Sequence, residues 1–187
     1  DLTLSGGGRL PVGQRPLFAS VIGDRSSVSF LGLVAPAGTR IFVSDVDGTL
    51  TSSESAYTES LVTGAQVAAH AGAAQAWQGV RQRGDYPVYL TSRGRVFTAG
   101  TRRWLADRGF PAGPVRLAPQ LLTFPGDSTV DYKARALGDI TSSGLTLGVG
   151  VGNRKSDIQA YQRAGLPAAR ILIKQPEYDS ETTPLIN

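Results

Sequence analysis

Five short apolar runs recur along the chain: "RIFVS" (40–44), "PVYLTS" (87–92), "PVRLA" (114–118), "LTLGVGV" (145–151) and "ARILI" (169–173). Stretches with helical patterning lie between them. The first is alanine-rich, from about Ala65 to Arg83. The others are "VFTAGTRRWLADRG", stopped by Gly109 with Pro111 beyond, then "DYKARALGDIT" and "SDIQAYQRAG". Strands that alternate with helices cannot pair as hairpins, so they form a parallel sheet covered by helices on both faces. The expected fold is α/β, a three-layer Rossmann-like arrangement. In such sheets polar chemistry collects at the carboxyl ends of the strands.

The first 39 residues read differently. "LSGGGRLPVG" is a Gly/Pro loop that follows no strand and opens no helix, so it lacks the context of a phosphate cradle. "LFASVI" and "SVSFLGLV" alternate like strands about Gly23 and Asp24, which predicts a β-hairpin. The division is thus 1–39, loop and hairpin, and 40–187, the α/β domain. An Asp1 start without any Met points to a processed or partial chain.

Composition narrows the chemistry. With no Cys, disulfides, zinc–thiolate sites and a cysteine nucleophile are excluded. No apolar run approaches the ~18 residues of a membrane span. The expectation is a soluble chain, peripheral to a membrane at most. The net charge of +4 favours anionic partners. Between Arg81 and Arg116 stand eight arginines against Asp85 and Asp107. That is either a solvated helix face or a surface for phosphate groups. Stacking aromatics are not interleaved with it, which disfavours nucleic acid.

Each strand's carboxyl end carries polar groups. The first has Asp45 and Asp47 with Gly48 and Thr49, and the second has Thr91 and Ser92. Lys133 lies near the opening of the helix after the third, and the fourth runs into Asn153, Arg154 and Asp157. This inventory suits phosphoryl transfer. Asp45 can attack phosphorus and form an aspartyl phosphate. Asp47 can protonate the leaving alkoxide and later take a proton from water. Asp45, the Asp47 carbonyl, Asn153 and Asp157 offer oxygen ligands for Mg²⁺. Thr91 and Lys133 can meet the phosphoryl charge. Gly48, Thr49, Ser92 and Arg154 are candidate substrate contacts. Asp157 can also cap the helix that starts beside it.

"DVDGTLT" resembles the first motif of the haloacid dehalogenase superfamily. The hydroxyl ending "VYLTS", the lysine of "DYKARAL" and "GVGNRKSD" resemble its later motifs, in order. "VYLTSRGRVFTAGTRRWLADRGFPAGPVRLAP" and "GVGNRKSDIQAYQRAGLPAARILI" are similar to the catalytic domain of lipin-type Mg²⁺-dependent phosphatidate phosphatases. The likeness runs from Arg40 to Lys174. Many superfamily members carry Asp at the place of Asn153, whereas the lipin type has Asn. The resemblance implies the strand order 5-4-1-2-3, an aspartyl-phosphate mechanism with Mg²⁺, and phosphatidate as substrate. It also implies a β-sandwich ahead of the domain, for which the opening residues are too few; they are then either its remnant or a truncation of it. About 40 residues separate the first two motifs, too few for a large cap domain, and an open site suits a phosphate on a bulky carrier such as a membrane. Two rival functions remain: a module that binds phosphatidate without hydrolysing it, and a phosphatase for soluble or protein phosphomonoesters. The four acidic and basic motif residues argue against the first.

Overall fold

The computed structural model describes residues 8–56, 66–119, 126–175 and 178–186. An antiparallel hairpin comes first, β1 (Gly13–Ser20) and β2 (Ser27–Val34), with Gly13 opposite Val34 and Ser20 opposite Ser27. In its turn, Asp24 accepts the Ser26 N–H at 2.9 Å.

The rest alternates as the apolar runs require. The elements are β3 (Arg40–Ser44), α1 (Ala73–Gln82), β4 (Tyr86–Gly94), α2 (Thr98–Asp107) and β5 (Val115–Ala118). Then follow α3 (Asp127–Ser142), β6 (Thr146–Gly152), α4 (Lys155–Arg163), β7 (Ile171–Ile173) and α5 (Asp179–Ile186). The five later strands form one parallel sheet in the order β5-β4-β3-β6-β7. Counted from β3, that is the expected 5-4-1-2-3.

Side chains alternate across a strand, so each strand feeds two cores. Ile41, Val43, Val88 and Leu90 pack with Leu137 of α3 and with Ile158 and Tyr161 of α4. On the opposite face Tyr89 packs with Trp77 and Val80 of α1 and Leu105 of α2. These are the three layers. β4 is buried along almost its whole length, as a central parallel strand covered on both faces must be. The hairpin leans on α2, where Arg102 donates to the Ser29 carbonyl at 3.5 Å.

One expectation is corrected. The helix expected from about Ala65 starts only at Ala73; Ala65 itself lies outside the described residues. Ahead of it, Ala69 bridges Thr51, the Ala68 carbonyl accepts the Ser52 N–H, and the His70 N–H donates to the Leu50 carbonyl. The alanines there tie down the loop after β3, and this tertiary pairing overrides their helix propensity. In addition, α5 was not foreseen, because "YDSETTPLIN" carries little apolar periodicity.

Candidate active site

β3 ends at Ser44, and the chain turns over the top of the sheet. Gly48 adopts φ 69°, and a Cβ there would collide with the side chains of Asn153 and Glu54. Glycine therefore allows both the turn and the close approach of Asn153, in the turn that follows β6. Gly152 serves a similar purpose, since a Cβ would strike the Asp157 carboxylate.

Asp45 is buried at this turn. Its Oδ1 accepts from Lys133 Nζ at 2.7 Å, and the same ammonium donates to Asp157 Oδ1 at 2.6 Å. Asp157 Oδ2 accepts the N–H groups of Asn153 and Arg154, both at 3.0 Å. Asp157 is thus wholly buried and engaged at both oxygens, holding the turn before α4 and the lysine of α3. Burial alone would pull the Lys133 pKa down, but Asp157 and Asp45 more than offset it and hold it well above the ordinary lysine value. For Asp45, burial pushes upward while Lys133 opposes it, and Asp157, Glu54 and Asp47 add to the rise.

Asp47 is held from the other side. Arg93 Nη2 donates to Oδ1 at 2.6 Å, and Arg93 Nε lies 3.1 and 3.0 Å from the two oxygens. Thr91 Oγ1 donates to Asp47 Oδ2 at 3.0 Å and accepts the Arg93 N–H at 3.1 Å. Arg93 in turn donates to Thr101 of α2 at 3.0 Å. Thr91 therefore faces Asp47, while Ser92 lines the cleft and its buried Oγ has no hydrogen-bond partner among the described residues.

The cleft encloses about 440 Å³ and is lined by Asp45, Asp47, Glu54, Ser92, Lys133 and Arg154 among others. Arg154 is held at its mouth by Glu181 of α5, with 2.7 Å from Nε to Oε1, and its guanidinium stacks 3.9 Å from the Tyr178 ring centroid. Glu54 accepts from Asn153 Nδ2 at 2.8 Å, and burial raises its pKa.

A divalent cation fits this donor set. Thr49 Oγ1 lies 3.1 Å from both Asp45 Oδ2 and Asn153 Oδ1. One hydroxyl proton can serve only one of these two acceptors. Asp45, Asp47, Glu54 and Asp157 crowd together, which leaves negative charge for a cation to balance. Among the described residues no three His, Cys, Asp or Glu side chains form a metal cage. The oxygens brought together here are instead the Asp45 carboxylate and the Asn153 amide oxygen, each 3.1 Å from Thr49 Oγ1, which suits a small hard cation that keeps several waters.

The structure brings Asp45, Asp47, Gly48, Thr49, Thr91, Ser92, Lys133, Asn153, Arg154 and Asp157 to one edge of the sheet. Three further residues join them unforeseen. Arg93 was counted only as one of a basic run, although its place two residues after Thr91 in a strand puts both on one face. Glu54 and Glu181 sit in segments without periodicity and left no signal. The basic run itself does not form one face. Arg93 is buried on Asp47, Arg81 covers the Tyr86 ring, Arg102 meets the hairpin, and Arg116 pairs with Asp139.

Residues 42–174 match the family model described as "PITM 1-3, LNS2 domain". The chain belongs to the LNS2 domain family. This LNS2 domain is 29% identical over 153 residues to phosphatidate phosphatase LPIN2 of Homo sapiens, covering 74% of the chain and 17% of that protein. It is 28% identical over 165 residues to Protein retinal degeneration B of Drosophila melanogaster, covering 88% of the chain and 12% of that protein. Phosphatidate phosphatase PAH1 of Arabidopsis thaliana is 28% identical over 160 residues, with 77% and 18% covered. The LNS2 domain spans less than a fifth of each of these relatives. Among solved structures it resembles a chain of the Pnkp1/Rnl/Hen1 RNA repair complex, with TM-score 0.58 and 18% identity over 73% of this chain and 42% of that one. It also resembles the class C acid phosphatase of Bacillus anthracis, with TM-score 0.53 and 15% identity over 75% and 68%. These likenesses establish the haloacid dehalogenase fold. No described helix is long and apolar enough to cross a membrane.

Proposed function

We propose that this LNS2 domain is a Mg²⁺-dependent phosphatase that cleaves a phosphomonoester through an aspartyl phosphate on Asp45, with phosphatidate as the substrate and diacylglycerol as the product. One observation carries the reading. The Asp45 carboxylate is fixed by Lys133 at the floor of an open cleft, with the Asp47 carboxylate separately clamped beside it.

Asp45 attacks phosphorus in line, and the bond to the alkoxide breaks as Asp47, which enters this step in its protonated form, supplies a proton. Asp47 then takes a proton from water, which attacks the phosphoryl group and releases Asp45. Lys133 balances charge on the transferred phosphoryl oxygens and on Asp45. The Ser92 hydroxyl, without a hydrogen-bond partner among the described residues, would donate to one of those oxygens, while Thr91 and Arg93 fix the direction of Asp47. Asp45, the Asp47 carbonyl and Asn153 would hold Mg²⁺, and Asp157 keeps Asn153 and Lys133 in place. When bound, the cation neutralises the repulsion between a carboxylate nucleophile and a phosphate dianion.

The names of the curated relatives support phosphatidate over other phosphomonoesters. The open cleft fits a phosphate borne on a membrane surface. The test is phosphate release from phosphatidate in mixed micelles, beside p-nitrophenyl phosphate, with and without Mg²⁺. Metal-dependent release from phosphatidate is expected. Binding of phosphatidate without release would support the non-catalytic rival, and turnover of the aryl ester alone would support a soluble substrate.

A further inference from the structure

A second cavity, of about 400 Å³, opens beside the catalytic cleft at the outer edge of the sheet. Three arginines from three elements line it: Arg95 from the turn after β4, Arg116 from β5 and Arg135 from α3. The acid that lines it is Asp139, paired with Arg116 at 3.2 Å in an exposed bridge of small worth. Three guanidinium groups against one carboxylate leave an uncompensated positive charge.

Tyr132 supplies an independent observation. Its ring packs against the core beneath α3 and the residue lines the cavity, with its hydroxyl buried and, among the described residues, without a hydrogen-bond partner. A buried hydroxyl left unpaired is costly unless a ligand completes it. Burial pushes its pKa up to about 12, while Lys133, Arg116 and Arg95 pull against the rise, which sets those cations near the phenol. Tyr132 adjoins Lys133 in sequence, and Arg95 follows Ser92 by three residues. One turn of α3 and the end of β4 thus serve both cavities.

We propose that this cavity is a second phosphate-binding site, distinct from the catalytic cleft. Guanidinium groups pair with phosphate oxygens through parallel N–H bonds. A tetrahedral phosphate offers three oxygens to three arginines approaching from three elements, whereas a carboxylate offers only two. The Tyr132 hydroxyl donates to the same group. Occupancy does not depend on chemistry at Asp45, so a catalytically silent chain binds phosphate here equally. The phosphate comes either from a lipid headgroup next to the substrate or from a soluble phosphate compound.

The test uses the full chain carrying Asp45→Asn, with ¹⁵N-labelled arginine. Inorganic phosphate is titrated in, and binding is measured separately to phosphatidylcholine vesicles containing phosphatidate or, at matched charge, phosphatidylserine. Saturable shifts in the Nε–H signals of Arg95, Arg116 and Arg135 are expected, weakened by Tyr132→Phe. The triple variant Arg95→Gln, Arg116→Gln, Arg135→Gln should lose them. If the source is a lipid headgroup, the triple variant also loses roughly 10- to 100-fold in affinity for phosphatidate vesicles, and much less for phosphatidylserine. Lost phosphate binding with unchanged vesicle affinity assigns a soluble phosphate compound. With Asp45 restored, the triple variant should hydrolyse p-nitrophenyl phosphate at close to the parent rate. If it does not, Tyr132→Phe alone, which removes one oxygen, decides through its phosphate affinity. Unmoved arginine signals together with unchanged vesicle affinity would overturn the site, as would equal loss on both anionic lipids.

Discussion

Arg93 grips Asp47 through two nitrogens, with Nη2 2.6 Å from Oδ1 and Nε 3.0 Å from Oδ2. The guanidinium is itself anchored on Thr101 of α2. A planar fork on a carboxylate fixes direction as well as charge. If Asp47 delivers the proton to the leaving alkoxide, this grip matters most when that leaving group is poor. Arg93→Gln should lower kcat for an alkyl phosphate by about 100-fold, and far less for p-nitrophenyl phosphate, whose leaving group needs little protonation. Rates measured on both esters decide it. An equal fall on both would mean that Arg93 only supports the fold.

Lys133 is the sole ammonium between Asp45 and Asp157 among the described residues, and all three are buried. Removing one partner of a buried ionic group leaves charge without compensation. Lys133→Met should therefore destabilise the chain by about 3–5 kcal/mol in chemical denaturation. Adding Asp157→Asn to it should recover part of that stability without recovering turnover. Recovery of turnover in the double variant would contradict a direct charge-balancing role for Lys133.

The oxygen donors around Thr49 set the metal prediction. Mg²⁺ at 100 times its Kd should raise the folding free energy by about 2.7 kcal/mol, seen as a higher Tm. Asn153→Ala should abolish that gain. Ca²⁺ prefers more ligands and looser geometry, so it should stabilise the chain while inhibiting hydrolysis. Full activity in excess chelator would remove the cation from the mechanism.

What was legible in the sequence was what local chemistry dictates. The alternation of apolar runs specified a parallel sheet, and the strand-end position of Asp45, Asp47, Thr91 and Asn153 followed from it, since turns there must carry the polar groups that the strands exclude. The residues that restrain these were hidden because their roles are set by tertiary contact. Arg93 looked like one more surface arginine until α2 placed Thr101 against it. Glu54 lies in a Ser/Thr-rich loop, and its contact is with Asn153, 99 residues away. Glu181 reaches Arg154 from a short helix whose sequence has no apolar face to announce it. The segment before α1 misled for the same reason, because the alanines about Ala69 pair with Thr51 and yield their helix to that contact.

The central claim is that Asp45 carries the phosphoryl group. Wild-type chain and Asp45→Asn should each be mixed with phosphatidate and Mg²⁺, quenched in acid within the first turnover, and digested for mass spectrometry. The wild-type peptide spanning Asp45 is predicted to gain the mass of one phosphoryl group, and the Asp45→Asn peptide to gain nothing while phosphate release stops. Phosphate release from phosphatidate by Asp45→Asn at a rate near wild type would contradict the account.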